Sequence, residues 1–158
     1  MTAPADAYSI AALAALLGGT DRSLVRRWVL GARLPLADWE RPPLLPATRD
    51  DRGRWVVPAV VVHNWLDDGA TEHARGLYVG ELPVADPDRR LLTVAQTAAV
   101  LRVSVRTVRA HTAKGELGCI RPAGLHRQFI PLPCQRAYID ARRRSRAGEH
   151  TASHVPAA

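Results

Sequence analysis

Apolar and polar positions along the 158-residue chain fall into two similar passages. Residues 8–18, Tyr8-Ser9-Ile10-Ala11-Ala12-Leu13-Ala14-Ala15-Leu16-Leu17-Gly18, align with residues 92–102, Leu92-Thr93-Val94-Ala95-Gln96-Thr97-Ala98-Ala99-Val100-Leu101-Arg102, at a constant offset of 84. Ile10, Ala14 and Leu17, and likewise Val94, Ala98 and Leu101, recur at i, i+4, i+7 and so share one helix face. Ser9 and Thr93 stand immediately before these runs as N-caps. Each passage continues into a second helix, predicted over Asp21 to Leu34 and Ser104 to Leu117. The offset there is 83, so the turn among Gly18-Gly19-Thr20 has one extra residue. Asp21 and Ser104 can offer side-chain oxygens to the orphan amides of these helices. Val25 and Val29 continue the inner face, matched by Val108 and Thr112. Gly115 is placed to end the later helix in the left-handed conformation, where the first copy has Ala32. Two helices with a tight turn, occurring twice, form an internal repeat, and this unit is one that places a helix in a DNA groove.

Each repeat closes with a strand pair and a third helix. In the second copy Cys119-Ile120-Arg121 and Arg127-Gln128-Phe129-Ile130 read as strands around the turn Pro122-Ala123-Gly124-Leu125-His126. Pro131 and Pro133 then break the strand and open a helix near Cys134 to Arg144. Arg54-Trp55-Val56-Val57-Pro58 and Trp65-Leu66-Asp67 repeat this ending in the first copy, after a long loop holding Trp39, Pro42, Pro43 and Pro46. The predicted fold class is mainly α with small β-hairpin wings (α+β), as two domains. These span 7–68 and 91–144, with a connector at 69–90 in which Leu77-Tyr78-Val79 could form a short strand. Residues 145–158 lack periodicity and are expected to be without regular structure. Trp28, its counterpart His111, Trp55, Trp65, Phe129 and Tyr138 are expected in the core.

Charge sharpens this picture. The whole chain carries +7, yet residues 1–75 hold nine Arg against nine acids and are neutral. Residues 89–146 hold thirteen basic side chains against two acids, a local +11. A basic module beside a neutral one is the footprint of nucleic-acid binding by the basic half, although an Arg-rich soluble surface would share it. Cys119 and Cys134 are too few for a disulfide scaffold and match no structural zinc spacing, so buried free thiols are expected. No Gly-rich phosphate loop, metal cluster or activated nucleophile is evident. Tyr78 and Ser104 lack the pattern of recombinase nucleophiles, and His150 and His154 lie near the end of the chain. Catalysis, metals and cofactors are therefore not expected. No stretch nears ~18 apolar residues and residues 1–7 lack a leader pattern, so a cytoplasmic protein is expected, nucleoid-associated when bound to DNA.

Residues 92–109, then Gly115-Glu116-Leu117, then Arg127-Gln128-Phe129-Ile130-Pro131, resemble the excisionase-like, MerR-type winged helix-turn-helix domain of phage, plasmid and actinobacterial proteins. Val25-Arg26-Arg27-Trp28-Val29, Arg33-Leu34-Pro35 and Arg54-Trp55-Val56-Val57-Pro58 are similar to the same pattern. The first copy departs from it by its longer turn and its insertion before the hairpin. The resemblance implies that the second helix enters the major groove while the hairpin wing touches the backbone or minor groove.

Arg106 and Arg109 lie on the outer face of the second helix, where arginine can fork onto guanine. Ser104, Val105 and Thr107 lie beside them, with Ser104 chiefly a cap. Thr93 could present helix amides to a phosphate. Arg121, His126 and Arg127 surround the wing tip, where a charged edge that blocks sheet pairing is the competing reading. Arg22, Arg26 and Arg27 occupy the corresponding helix face of the first copy and Arg54 its wing, among Asp21, Asp50 and Asp51. Arg142, Arg143, Arg144 and Arg146 suit a helix C-terminus or a phosphate strand equally. The expected partner is double-stranded DNA, bound sequence-specifically by a transcriptional regulator. A recombination directionality factor that bends attachment-site DNA is the alternative. A further one is an adaptor whose first domain binds a protein partner or self-associates.

Overall fold

The computed structural model of the protein describes residues 7–33, 40–41, 43–78 and 87–152. Among them are six α-helices and three small antiparallel sheets, an α+β architecture. Strand β1 (Ala7–Ser9) leads into α1 (Ile10–Leu16) and, after a turn, α2 (Arg22–Leu30). Two-residue strands β2 (Ala32–Arg33), β3 (Glu40–Arg41) and β4 (Thr48–Arg49) follow, then β5 (Trp55–Pro58) and α3 (Ala59–Asp68). The second half runs β6 (Leu91–Thr93), α4 (Val94–Leu101), α5 (Val105–Ala113), β7 (Phe129–Pro131) and α6 (Leu132–Ala152).

The expected caps are in place. Ser9 accepts from the Ala12 amide at 3.1 Å, Asp21 from Ser23 at 2.8 Å, and Ser104 from Thr107 at 3.1 Å. Thr93 forms a reciprocal capping box with Gln96. The turns agree across the two halves as well. Gly18 (φ 72) and its counterpart Arg102 (φ 53) are both left-handed, a conformation that costs a non-glycine residue about 1–2 kcal/mol. Arg102 offsets part of that cost by donating its amide to the Ala98 and Ala99 carbonyls. The second helices are shorter than their apolar pattern suggests. Gly31 (φ 78) ends α2 at Leu30 rather than Leu34, and α5 stops at Ala113, with Gly115 at φ 74 just beyond.

Three sequence expectations need correction. The strand before each first helix was not foreseen: β1 pairs with β5 (Tyr8 opposite Val57) and β6 with β7 (Leu92 opposite Ile130). The expected hairpin of 119–121 with 127–130 is reduced to one bridge, Ile120 to Phe129, with bonds of 2.8 and 2.9 Å. Ile120 is fully buried and spends its other edge on Ala70 of the first half. Thirdly, regular structure does not end at Arg144. Helix α6 continues through Ala152, because the alanines and arginines of this stretch favour helix without needing a core. Ser145 back-bonds to the Ala141 carbonyl and Arg143 faces Asp140 at 3.9 Å.

The two halves share packing. One buried cluster joins Tyr8, Val25, Trp28, Val57 and Leu66 to Tyr78, Leu91, Ile120, Phe129 and Cys134. A smaller one joins Ala98, Val108, Leu117, Cys119, Ile130 and Tyr138. Residues 69–78 are pinned rather than loose. Thr71 donates its amide and its hydroxyl to the Cys119 carbonyl at 2.9 and 3.1 Å, and the Arg121 amide reaches the Gly69 carbonyl at 2.8 Å. Tyr78 is a core residue in a turn rather than a strand, its hydroxyl 2.7 Å from the Arg89 carbonyl; Val79 lies outside the described residues. Against it sits buried His63, bonded to the Tyr8 hydroxyl at 2.9 Å. Cys119 and Cys134 are free and buried, and burial pushes the Cys134 thiol up to about 11. Trp65 and Tyr138 are buried as expected. Trp55 is half-exposed instead, its ring covered by the Arg49 guanidinium at 4.7 Å. Trp39, Pro42 and His154 lie outside the described residues.

Candidate nucleic-acid interface

Helices α4 and α5 stand against one another with Ala98 and Val108 buried between them. The small Ala98 side chain lets the helices approach, and the 102–104 turn sets their angle. Beside them the 121–128 segment rises from the Ile120–Phe129 bridge. Between α5, the start of α4 and this segment lies a groove of about 590 Å³. Thr93 and Ala95 line it from the β6–α4 junction, Val105 and Arg109 from α5, and Arg121, His126 and Arg127 from the segment. Arg109, Arg121, His126 and Arg127 are exposed, and no carboxylate lies in the lining. The amide nitrogen of Gln128, also in the lining, is buried. The Gln128 side chain lies against the buried Cys119 thiol, which its hydrogen bond acts on.

Several sequence-chosen residues thus converge on one concavity: Thr93, Val105, Arg109, Arg121, His126 and Arg127. Arg106 is exposed on α5 outside the groove. Ser104 and Thr107 are engaged with each other, hydroxyl to hydroxyl at 2.8 Å, in capping α5. Thr93 is the N-cap of α4, as expected. Its amide is taken by the Gln96 side chain at 2.8 Å. The amides of Val94 and Ala95, both in the lining, are the ones left without an intrahelical partner. The reading of the sequence missed Ala95, Leu125 and Gln128. Gln128 alone gave a signal, a polar residue between Arg127 and the buried Phe129.

The 121–128 segment is braced on the first half rather than standing free. The indole N–H of Trp65 donates to the Ala123 carbonyl at 3.0 Å, and Leu44 packs on Gly124. The Arg127 guanidinium lies 5.7 Å over the Trp28 ring of α2, a cation–π contact. At the other edge of the groove Gln96 donates to the Gly18 carbonyl at 2.9 Å, which ties α4 to the α1–α2 turn. Arg22, Arg26 and Arg27 are exposed on α2. They share that helix with Asp21 at its N-terminus, whose carboxyl is held below the usual range chiefly by the Ser23 hydroxyl. Arg54 is paired with Asp50 at 2.8 Å. Cations of the first half thus stand beside carboxylates, whereas the lining of the groove holds none.

His111 packs on Tyr138 (ring centroids 5.4 Å apart) and meets Glu116 at 2.5 Å, a hydrogen-bonded flank of the core as expected. That hydrogen bond is the main reason the Glu116 carboxyl sits below its ordinary range. Among the described residues no group of histidines, cysteines and acids could hold a metal, and no helix is long and apolar enough to cross a membrane.

Neither a curated protein nor a solved structure gives a significant match to the chain. Residues 91–130, which span β6, α4, α5 and the segment walling the groove, match the family model described as a helix-turn-helix domain.

Proposed function

We propose that the protein binds double-stranded DNA sequence-specifically as a transcriptional regulator, with α5 in the major groove and the 121–128 segment acting as a wing. The observation that carries this reading is the basic groove, which Arg109, Arg121, His126 and Arg127 line with no acid among them. Phosphate neutralisation supplies affinity, and arginine forks to base edges supply sequence discrimination. Arg106 and Arg109 are the base-reading pair. Arg121 and Arg127, with the amides of Val94 and Ala95, hold phosphates.

The first half is a divergent copy of the same winged unit, and its exposed Arg22, Arg26 and Arg27 add outlying phosphate contacts. Its carboxylates make it the weaker reader. Its docking on the wing favours a single continuous DNA site per chain over two half-sites of variable spacing. The test is selection of bound duplexes from a random pool by the full chain, followed by affinity measurement on the selected sequence. Arg106→Ala/Arg109→Ala is expected to lose most sequence discrimination, about 1–3 kcal/mol for each good base contact. Undiminished discrimination by that pair would dispose of α5 as the reading helix.

A further inference from the structure

The outward side of α5 is bracketed by two structures of like charge. With about 100° between successive helical residues, Val105 and Arg109 turn toward the 121–128 segment, with which they line the groove. His111 turns to the opposite flank, where its ring meets Tyr138 of α6. Arg106 and Ala110, both exposed, point away from the body between these flanks. Helix α6 therefore meets α5, at this ring contact, on the flank opposite the groove.

On α6, Cys134 and Tyr138 are buried, and the row at four-residue intervals continues through Arg142 and Arg146, turning about 40° round the helix at each step. The face toward α5 thus changes from apolar to basic where the helix leaves the body. The Arg142 guanidinium lies 5.3 Å over the Tyr138 ring, which fixes its direction. Residues 140–148 are all exposed, and the helix extends roughly 21 Å past Tyr138 at its ordinary rise. Glu116 lies on this flank, engaged by His111 with Lys114 and Arg142 close by, and helical spacing puts Glu149 one turn beyond Arg146. Asp140 lies on a different face and is met by Arg143.

We propose that this face of α6 is a second phosphate-binding edge. Arg142 and Arg146 hold the sugar–phosphate strand on the side of α5 opposite the wing. The proposal rests on α5 entering the major groove. A helix in a groove about 12 Å wide has a phosphate strand along each flank, and the wing reaches only one of them. The basic stripe also chooses between occupants: packed against a second copy of itself it would set like charges face to face, whereas a phosphate strand complements it.

The test is the salt dependence of binding by the full chain to a mixed-sequence duplex, followed by fluorescence anisotropy over a range of KCl. Each phosphate contact contributes about 0.9 to the slope of log K against log salt. Arg142→Gln/Arg146→Gln is expected to reduce the slope by about 1.8 and weaken binding roughly thirty- to a hundredfold at 0.1 M salt. Arg143→Gln/Arg144→Gln, which removes the same charge from other faces, should leave the slope within about 0.5 of the parent. Equal losses in both pairs, or an unchanged slope in the first, would overturn the proposal. So would a change in oligomeric state with the slope unaltered, which would give the face to a second copy. A parent chain that binds no duplex at all removes the DNA reading itself. A parent that binds with a slope indifferent to Arg142 and Arg146 removes only the α6 edge.

Discussion

Replacing Gly69 by alanine tests whether the two halves are locked together at the junction that braces the wing. A Cβ there would lie 2.3 Å from the Arg121 carbonyl oxygen and 2.7 Å from its carbon. Both are backbone atoms and cannot swing aside. The backbone at Gly69 (φ −89) suits any residue, so the cost is purely steric. Relief needs about 1 Å of separation to restore an ordinary contact. That movement would stretch the 2.8 Å bond from the Arg121 amide and load the Thr71–Cys119 pair behind it. Overpacking of this kind costs about 1–3 kcal/mol, and each weakened hydrogen bond about 1 kcal/mol more. The sum, roughly 2–4 kcal/mol, corresponds to a fall in Tm of about 5–15 °C for a chain of this size. Far-UV circular dichroism melts of Gly69→Ala and the parent would measure it. Amide hydrogen exchange at Arg121 and Thr71 would localise the damage. A Tm within about 1 °C of the parent, with both amides still protected, would refute a tight junction between the halves.

Two further predictions follow from the same packing. Burial lowers the pKa of His63, with Arg89 adding to the effect, so the unfolded chain takes up its proton at a higher pH than the folded one. Stability from this group is complete above the ordinary value of about 6.5 and erodes as pH falls below it. Urea midpoints between about pH 7.5 and 5 should therefore decline, and His63→Gln should flatten that decline; a parallel decline in the variant would locate the dependence elsewhere. Gly148→Ala meets nothing within 4 Å inside α6 and should raise stability or helix content, by up to about 1 kcal/mol of helix propensity. Lower helicity on circular dichroism would contradict a helix running through Ala152.

Local chemistry carried the starts of the capped helices, though not their ends. A polar cap followed by apolar residues at helical spacing marks Ser9, Asp21, Thr93 and Ser104 from nearest neighbours alone, because the cap bond closes within three residues. The exposed arginines of α5 were legible for a similar reason: Arg106 and Arg109 follow a cap by two and five positions, which fixes their side of the helix. Sheet pairing was not legible in that way. Leu91-Leu92-Thr93 has no alternation to announce a strand, and only the arrival of Phe129–Pro131 across the fold makes it one.

The same distinction holds for the site. A short-range code of caps, periodicity and charge sufficed for two pairs of capped helices and for the basic character of the second half. Contacts between residues roughly 50 to 80 positions apart decided the rest: Trp65 on Ala123, Gln96 on Gly18, Thr71 on Cys119. These pairings brace the wing on the first half and consume the free edge of Ile120. They depend on which surfaces meet after the helices have formed, and no local pattern encodes that meeting.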